Sequence, residues 1–148
     1  VDSNVKRPWS DKEFAEWLAS LETRRTPRNT AQDMYEIRHA SETNYRIEGG
    51  GEKFWADGIE GKTVILEAKK IVTPERSPFI ASSKTDTRIR EIIVAKVRDE
   101  FRRLGIIMLD EGNPLTSVRI IISDVQAKPF FETLLHDYEL PGEVVVKE

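Results

Sequence analysis

The chain contains no cysteine. That excludes disulfides and every zinc site built on thiolates, and it suits a domain that has to cross between redox compartments. Long hydrophobic runs are missing too. Ile120 to Ile122 and Gly105 to Leu109 are the longest, far short of the roughly 20 residues a membrane-spanning helix needs, so no membrane contact is expected. No secretory leader is recognisable, and the chain opens without an initiator Met, as a fragment or processed piece of something larger would. Internal repeats and low-complexity tracts are lacking. So is a large charge excess: the net charge of −3 argues against a general coat-binder of polyanions. Local fields matter more than the total, and a metal site needs acids of its own.

What remains is a chain of 148 residues, 39% hydrophobic and 33% charged, the make-up of one soluble globular domain with a sizeable core. Its basic residues are uneven. Arg24, Arg25 and Arg28 cluster early, and Arg88, Arg90, Lys96, Arg98, Arg102 and Arg103 crowd one predicted helix, where a solvated face and a nucleic-acid contact are both open readings.

Residues 1–8 read as a tail. Ser10 to Glu13 is a capping-box pattern, and Phe14, Trp17, Leu18 and Leu21 follow at helical spacing to about Arg24, before the Thr26-Pro27 break. Asn29 or Thr30 caps a second helix with Ala31, Met34 and Ile37 on its apolar face, although Tyr35 to His39 also alternates like a strand. Asn44 to Glu48, Lys53 to Asp57 and Lys62 to Lys70 read as a three-stranded meander, turned first at Gly49-Gly50-Gly51 and then at Gly58 to Gly61. Val72 to Thr85 reads as a long loop, a feature often functional in compact domains. Asp86 or Thr87 then caps a strong helix with the stripe Ile89, Ile92, Ile93, Val97, Phe101 and Leu104, ended by Gly105. Ile106 to Leu109 is a short strand or a buried extension. Val118 to Ser123 is a buried strand, Pro129 opens a short helix through Tyr138, Pro141-Gly142 turns, and Glu143 to Lys147 is a last strand.

The most informative stretch is Ala56 to Lys70. Asp57 ends one predicted strand, and Glu67-Ala68-Lys69 ends the next. Strand side chains alternate faces, so Glu67 and Lys69 share one, with Ile65, while Val64, Leu66 and Ala68 form the apolar set. An acid, then an acid-x-lysine about ten residues on, is how a metal-dependent nuclease builds a site on a hairpin. Two convergent carboxylates hold a divalent cation, and a lysine beside them orients water or steadies a phosphate. Glu-x-Lys also arises by chance, so the motif is weak alone.

The element order around this motif resembles the PD-(D/E)xK nucleases, with an α/β (α+β), restriction-endonuclease-like αβββαβ core from about residue 29 to 123 and a mixed central sheet flanked by helices. Residues 35–148 resemble the restriction-endonuclease-fold toxin domains at the C-termini of bacterial polymorphic toxins. YEIRHASETNYRIEGGGEKF, DGIEGKTVILEAKK, RSPF, VRDEFRR, PFFETLL and PGEVVVKE carry the likeness. It implies a division into residues 1–28, a tail and helix serving as linker or accessory, and residues 29–148, the nuclease toxin domain. Asp57 matches the first metal-binding acid, Glu67 the second, Lys69 the lysine, and Glu36 the acid that members often add from the first core helix. Gln126 matches loosely a glutamine found in some members. Ala56 stands where the motif's proline would be, a frequent departure.

The resemblance implies Mg²⁺ or Mn²⁺ held by Asp57, Glu67 and the Ala68 carbonyl, activating water and offsetting charge on the phosphorus. Lys69 would position that water or stabilise the transition state. Arg76, Ser77 and Lys84 in the long loop and His39 are candidate contacts to the nucleic-acid backbone. His136 and the tryptophans read as packing, with Trp55 the exception to watch beside Asp57. The expected activity is a metal-dependent endonuclease, on DNA more than RNA. It would be a toxin module secreted or contact-delivered from one bacterium, acting in the target cytoplasm and neutralised by a cognate immunity protein. An RNase on the same site and a non-catalytic nucleic-acid-binding domain are the alternatives.

Overall fold

The computed structural model describes residues 6–148; residues 1–5 of the expected tail lie outside the described residues. The elements are α1 (Asp11–Ser20), β1 (Thr23–Arg25), α2 (Ala31–His39), β2 (Thr43–Gly49), β3 (Glu52–Ala56), β4 (Gly58–Glu60), β5 (Val64–Lys69), α3 (Thr87–Leu109), β6 (Ser117–Ile122), α4 (Lys128–Asp137) and β7 (Gly142–Val146). Strands β1, β2 and β3 form an antiparallel sheet in that order. Strands β4 to β7 form a mixed sheet, β4 antiparallel to β5 and the other pairs parallel. Helices cover both faces of the mixed sheet, so the α+β class expected from the chain's patterning holds.

Both early helices start on reciprocal caps. The Ser10 hydroxyl accepts from the Glu13 amide while Glu13 accepts from the Ser10 amide, and Thr30 and Asp33 repeat the exchange. The second cap decides the strand-or-helix ambiguity over Tyr35 to His39 for the helix, because it satisfies amides that a helix start would otherwise leave unpaired. Helix α1 stops at Ser20, short of the expected Arg24, and Thr23 to Arg25 pair instead with Thr43 to Tyr45. Residues 6–28 are tied to the rest of the body. The Lys6 ammonium donates to the Asn113 and Leu115 carbonyls at 3.1 and 2.7 Å, Lys62 donates to the Trp9 carbonyl at 3.1 Å, and Trp17 and Leu21 pack on the main core.

Strand β5 is buried on both faces. Ile65 sits in the main core with α3 and α4, against Val118, Ile120 and Ile122 of β6, whereas Leu66 and Ala68 pack with Ile121 beneath Tyr35 of α2. The face expected to be polar is thus core at Ile65 and becomes polar only at Glu67 and Lys69. Gly58 is not part of a turn but the first residue of β4; the turn lies at Gly61, whose φ is +57°. The β2–β3 hairpin closes through Gly50 and Gly51, both at positive φ, as a twist-matched two-residue turn requires.

Gly105 does not end α3, which runs on to Leu109 and buries Ile107 and Met108. A Cβ at Gly105 would lie 3.0 Å from the Leu140 side chain, so the glycine serves close packing, not termination. Ile89 and Ile92 are exposed; only from Ile93 onward does the stripe meet the core. The long loop is partly ordered by a 3-10 turn at Pro74–Arg76 and by burial of Ser77 and Ile80. Gly142, expected in a turn, is already the first residue of β7, opposite Val118, and an added Cβ would meet the Val118 carbonyl oxygen at 2.1 Å. We expect Gly142→Ala to destabilise the protein by about 1–3 kcal/mol, the usual cost of overpacking, measured as a lower urea midpoint with an unchanged m-value.

Candidate active site

Asp57 lies between β3 and β4, where one continuous strand leaves the antiparallel sheet for the mixed one. Extending the β4–β5 register of Gly58 against Leu66 sets Asp57 opposite Glu67. Each carboxylate accepts from a backbone amide of the facing segment. The Asp57 amide donates to Glu67 Oε1 at 3.2 Å, and the Ala68 amide donates to Asp57 Oδ2 at 2.9 Å. Lys69 follows on the same face of β5 as Glu67 and places Nζ 3.9 Å from Glu100 Oε2 of α3.

Glu36 comes from α2 and is buried, not the surface acid a helix position alone would suggest. Asn44 holds it: its Nδ2 donates to Glu36 Oε1 at 2.6 Å and to the Thr26 hydroxyl oxygen at 3.2 Å. Together these residues line a cleft of about 550 Å³, which brings four acids (Glu36, Asp57, Glu67, Glu100) against four cations (Arg24, Lys69, Lys96, Arg103). Trp55 and Phe54 also line it. Arg24 lies 4.4 Å over the Trp55 ring and Arg103 5.5 Å over Phe54.

Burial first, then the neighbouring Glu36, pushes the Asp57 carboxyl up to about 7. Burial and the Asp57 charge hold Glu67 well above its ordinary value. For Lys69, burial alone would lower the pKa, but the carboxylates of Glu67, Glu100, Asp57 and Glu36 outweigh it and raise it. The acids around Lys69 thus favour its charged form, a point charge in the cleft.

The donors in the cleft suit a hard cation. They are carboxylate oxygens, two of them with pKa values raised by burial and then by neighbouring acids, so a divalent ion would favour their charged forms. Among the described residues, no group of three or more His, Asp or Glu side chains is placed to hold an ion. Asp57 and Glu67 would thus hold it with water completing its shell, the manner of Mg²⁺. The Ala68 carbonyl, the third expected ligand, lines the cleft and already accepts from Gln32 Nε2 at 2.8 Å; its second lone pair leaves it one further acceptance.

The other candidates lie elsewhere. Gln126 is exposed in a 3-10 turn capped by Asp124 and borders other hollows, beside Ile80 and Phe79, because that turn ends the chain's run along β6. Its place in the cleft is taken by Gln32. His39 is committed to the C-terminus: Nε2 lies 3.1 Å from the Glu148 carbonyl, and the ring packs on Tyr35. Arg76 and Lys84 line a separate hollow with Asp86 and Ile89. His136 is exposed, and Trp9 packs edge-on to Trp17. Of the basic residues on α3, Lys96 and Arg103 line the cleft, while Arg98 pairs with Asp137 and Arg102 with Asp99.

Gln32 and Glu100 are the cleft residues that sequence reasoning missed. Each had a signal. Gln32 stands one helical turn before Glu36, and Glu100 is a carboxylate set inside the apolar arc of Val97, Phe101 and Leu104.

The family described as restriction endonuclease fold toxin 2 matches the chain over residues 31–141. No curated protein and no solved structure matches it.

A carboxyl whose pKa is raised on folding stabilises the fold while protonated and loses that contribution as pH climbs through its folded pKa. In EDTA, we therefore expect Glu67→Gln, which keeps an acceptor for the Asp57 amide but removes the charge, to be more stable than wild type. The margin should widen as pH rises above about 4.5, the ordinary glutamate value from which Glu67 is raised. Urea midpoints across that range are the check; a constant margin would deny the crowding.

Proposed function

The chain belongs to the restriction endonuclease fold toxin 2 family, and on that premise we propose that it is a metal-dependent nuclease, acting on DNA, that serves as a toxin module in competition between bacteria. The observation that carries this reading is the convergence of Asp57 and Glu67 where the strand bends, the Asp57 amide bonded to Glu67 and the Ala68 amide to Asp57, with Lys69 in the same cleft.

Each residue has a role in phosphodiester hydrolysis. Asp57 and Glu67 supply oxygen donors for Mg²⁺ or Mn²⁺. When bound, such an ion supplies Lewis acidity to water and to the phosphate. Lys69, held charged by its acidic neighbours, stabilises the negative charge that grows on the phosphate oxygens as the water oxygen bonds to phosphorus and the ester bond to the leaving oxygen breaks. Glu36, fixed by Asn44, faces the same space and orients water. Arg24, Lys96 and Arg103 lie at the cleft as contacts for phosphates beside the scissile one, which position the polymer without reading its sequence.

A nuclease toxin endangers the cell that makes it. The proposal therefore includes a cognate immunity protein that blocks the cleft, and secretion or contact-delivery before the toxin acts in the target cytoplasm. No helix among the described residues is long and apolar enough to cross a membrane.

Plasmid DNA and total RNA, incubated side by side with Mg²⁺, Mn²⁺ or EDTA, test the activity. We expect DNA to be cut with either ion and not in EDTA, and Glu67→Gln to be inactive. Lys69→Ala should lower kcat by about 10²–10³, the scale for removing one preorganised electrostatic partner. Cleavage of RNA alone would move the protein to the RNases with the same residues in the same roles. Cleavage that persists in EDTA would refute the metal dependence.

A further inference from the structure

We infer that Gln32 is a positioning residue for the Glu67-Ala68-Lys69 segment: its carboxamide stands in for the peptide group of a missing neighbour strand. The inference rests on the nuclease reading above for what Glu67 and Lys69 do, and on geometry for what holds them.

Strand β4 pairs with β5 only from Gly58 opposite Leu66 to Glu60 opposite Val64. Beyond Gly58 the chain bends at Asp57 and joins another sheet as β3. The last residues of β5 are left without a strand on that side. In an antiparallel ladder the amide and carbonyl of one residue point the same way, so the bend leaves Ala68 N–H, Ala68 C=O and Lys70 N–H facing an open edge. Unpaired backbone groups at a partly buried edge are costly.

Two side chains fill the gap. Asp57 Oδ2 accepts from the Ala68 amide at 2.9 Å. Gln32 takes the other two groups at once: Nε2 donates to the Ala68 carbonyl at 2.8 Å, and Oε1 accepts from the Lys70 amide at 2.7 Å. One donor and one acceptor on one planar amide match the carbonyl and amide of an adjacent peptide unit. The two bonded residues flank Lys69. With them pinned, the backbone that aims the lysine, and the carbonyl beside it, is fixed from both sides. Gln32 and Glu36 are one turn apart on α2, and both line the cleft, so the helix that presents Glu36 also registers the strand that carries Glu67 and Lys69. Glutamate in place of Gln32 could accept from Lys70 but not donate to Ala68. Asparagine would be one methylene too short to span both.

The test uses the full chain and Gln32→Met, which keeps the length and apolar stem of the side chain and lacks both hydrogen bonds. Steady-state cleavage of an oligonucleotide duplex with saturating Mn²⁺ is measured together with amide exchange at Lys70 by NMR. We expect kcat to fall roughly tenfold, the weight of one or two buried hydrogen bonds, with KM unchanged and the Lys70 amide exchanging faster. Gln32→Glu should restore Lys70 protection without restoring kcat. A role confined to docking α2 would lower the urea midpoint and leave kcat intact, which would overturn the positioning role. Unchanged Lys70 exchange would overturn the clamp itself. A wild-type protein that cuts neither DNA nor RNA would refute the nuclease reading and the catalytic part of this inference with it, while exchange at Lys70 would still decide the clamp.

Discussion

The structure turns on the bend at Asp57. One strand serves two sheets: Glu52–Ala56 completes the antiparallel sheet, and Gly58–Glu60 edges the mixed one. A strand that changes sheets must break its ladder at the crossing. The break exposes backbone hydrogen-bonding groups of the neighbouring strand, and these recruit the side chains of Asp57 and Gln32. The polar site is thus seated at a fault in the sheet and not on a smooth face. A continuous ladder there would leave no room for two carboxylates between the strands.

Around that fault, buried acids lie together at a cost in local stability. Glu67 is almost wholly buried beside Asp57; burial first, then the charge of Asp57 on Glu67 and of Glu36 on Asp57, raises both pKa values. Lys69 supplies one compensating charge but is shared with Glu100. The close, buried carboxyls of Asp57 and Glu67 are the feature that a divalent cation would balance, and they are held in place by well-packed neighbours: Ile65 and Ile120 on the same face, Leu66 and Ala68 on the other.

Residues ahead of the family-matched region share in this arrangement. Strand β1 brings Arg24 over Trp55, and Thr26 joins Asn44 beside Glu36. Asn44 links the two, since its Oδ1 accepts from Arg24 Nε at 3.2 Å while its Nδ2 holds Glu36. One buried amide thereby couples the rim of the cleft to its acids.

How much of this was readable depends on range. Asp57, Glu67 and Lys69 were readable because strand alternation and hairpin spacing are local rules, and Thr30 with Asp33 or Asp86 before Arg88 mark helix starts for the same reason. The bend was not, since Gly58 reads as a turn residue until a partner strand extends past it. Gly105 reads as a helix stop unless Leu140, distant in sequence, is known to press against it. Gln126 and Gln32 are chemically identical; only packing of α2 on β5 puts one against the Ala68 carbonyl and leaves the other on an exposed turn. By itself the sequence determined most of the helices and strands, the motif and the family they belong to, because periodicity, caps and spacing act over a few residues; strands β1 and β4 and the end of α3 were set by contacts at longer range. Tertiary structure alone decided which acids are buried together, which cations face them and which amide closes the open strand edge, because those depend on contacts between residues far apart in the chain.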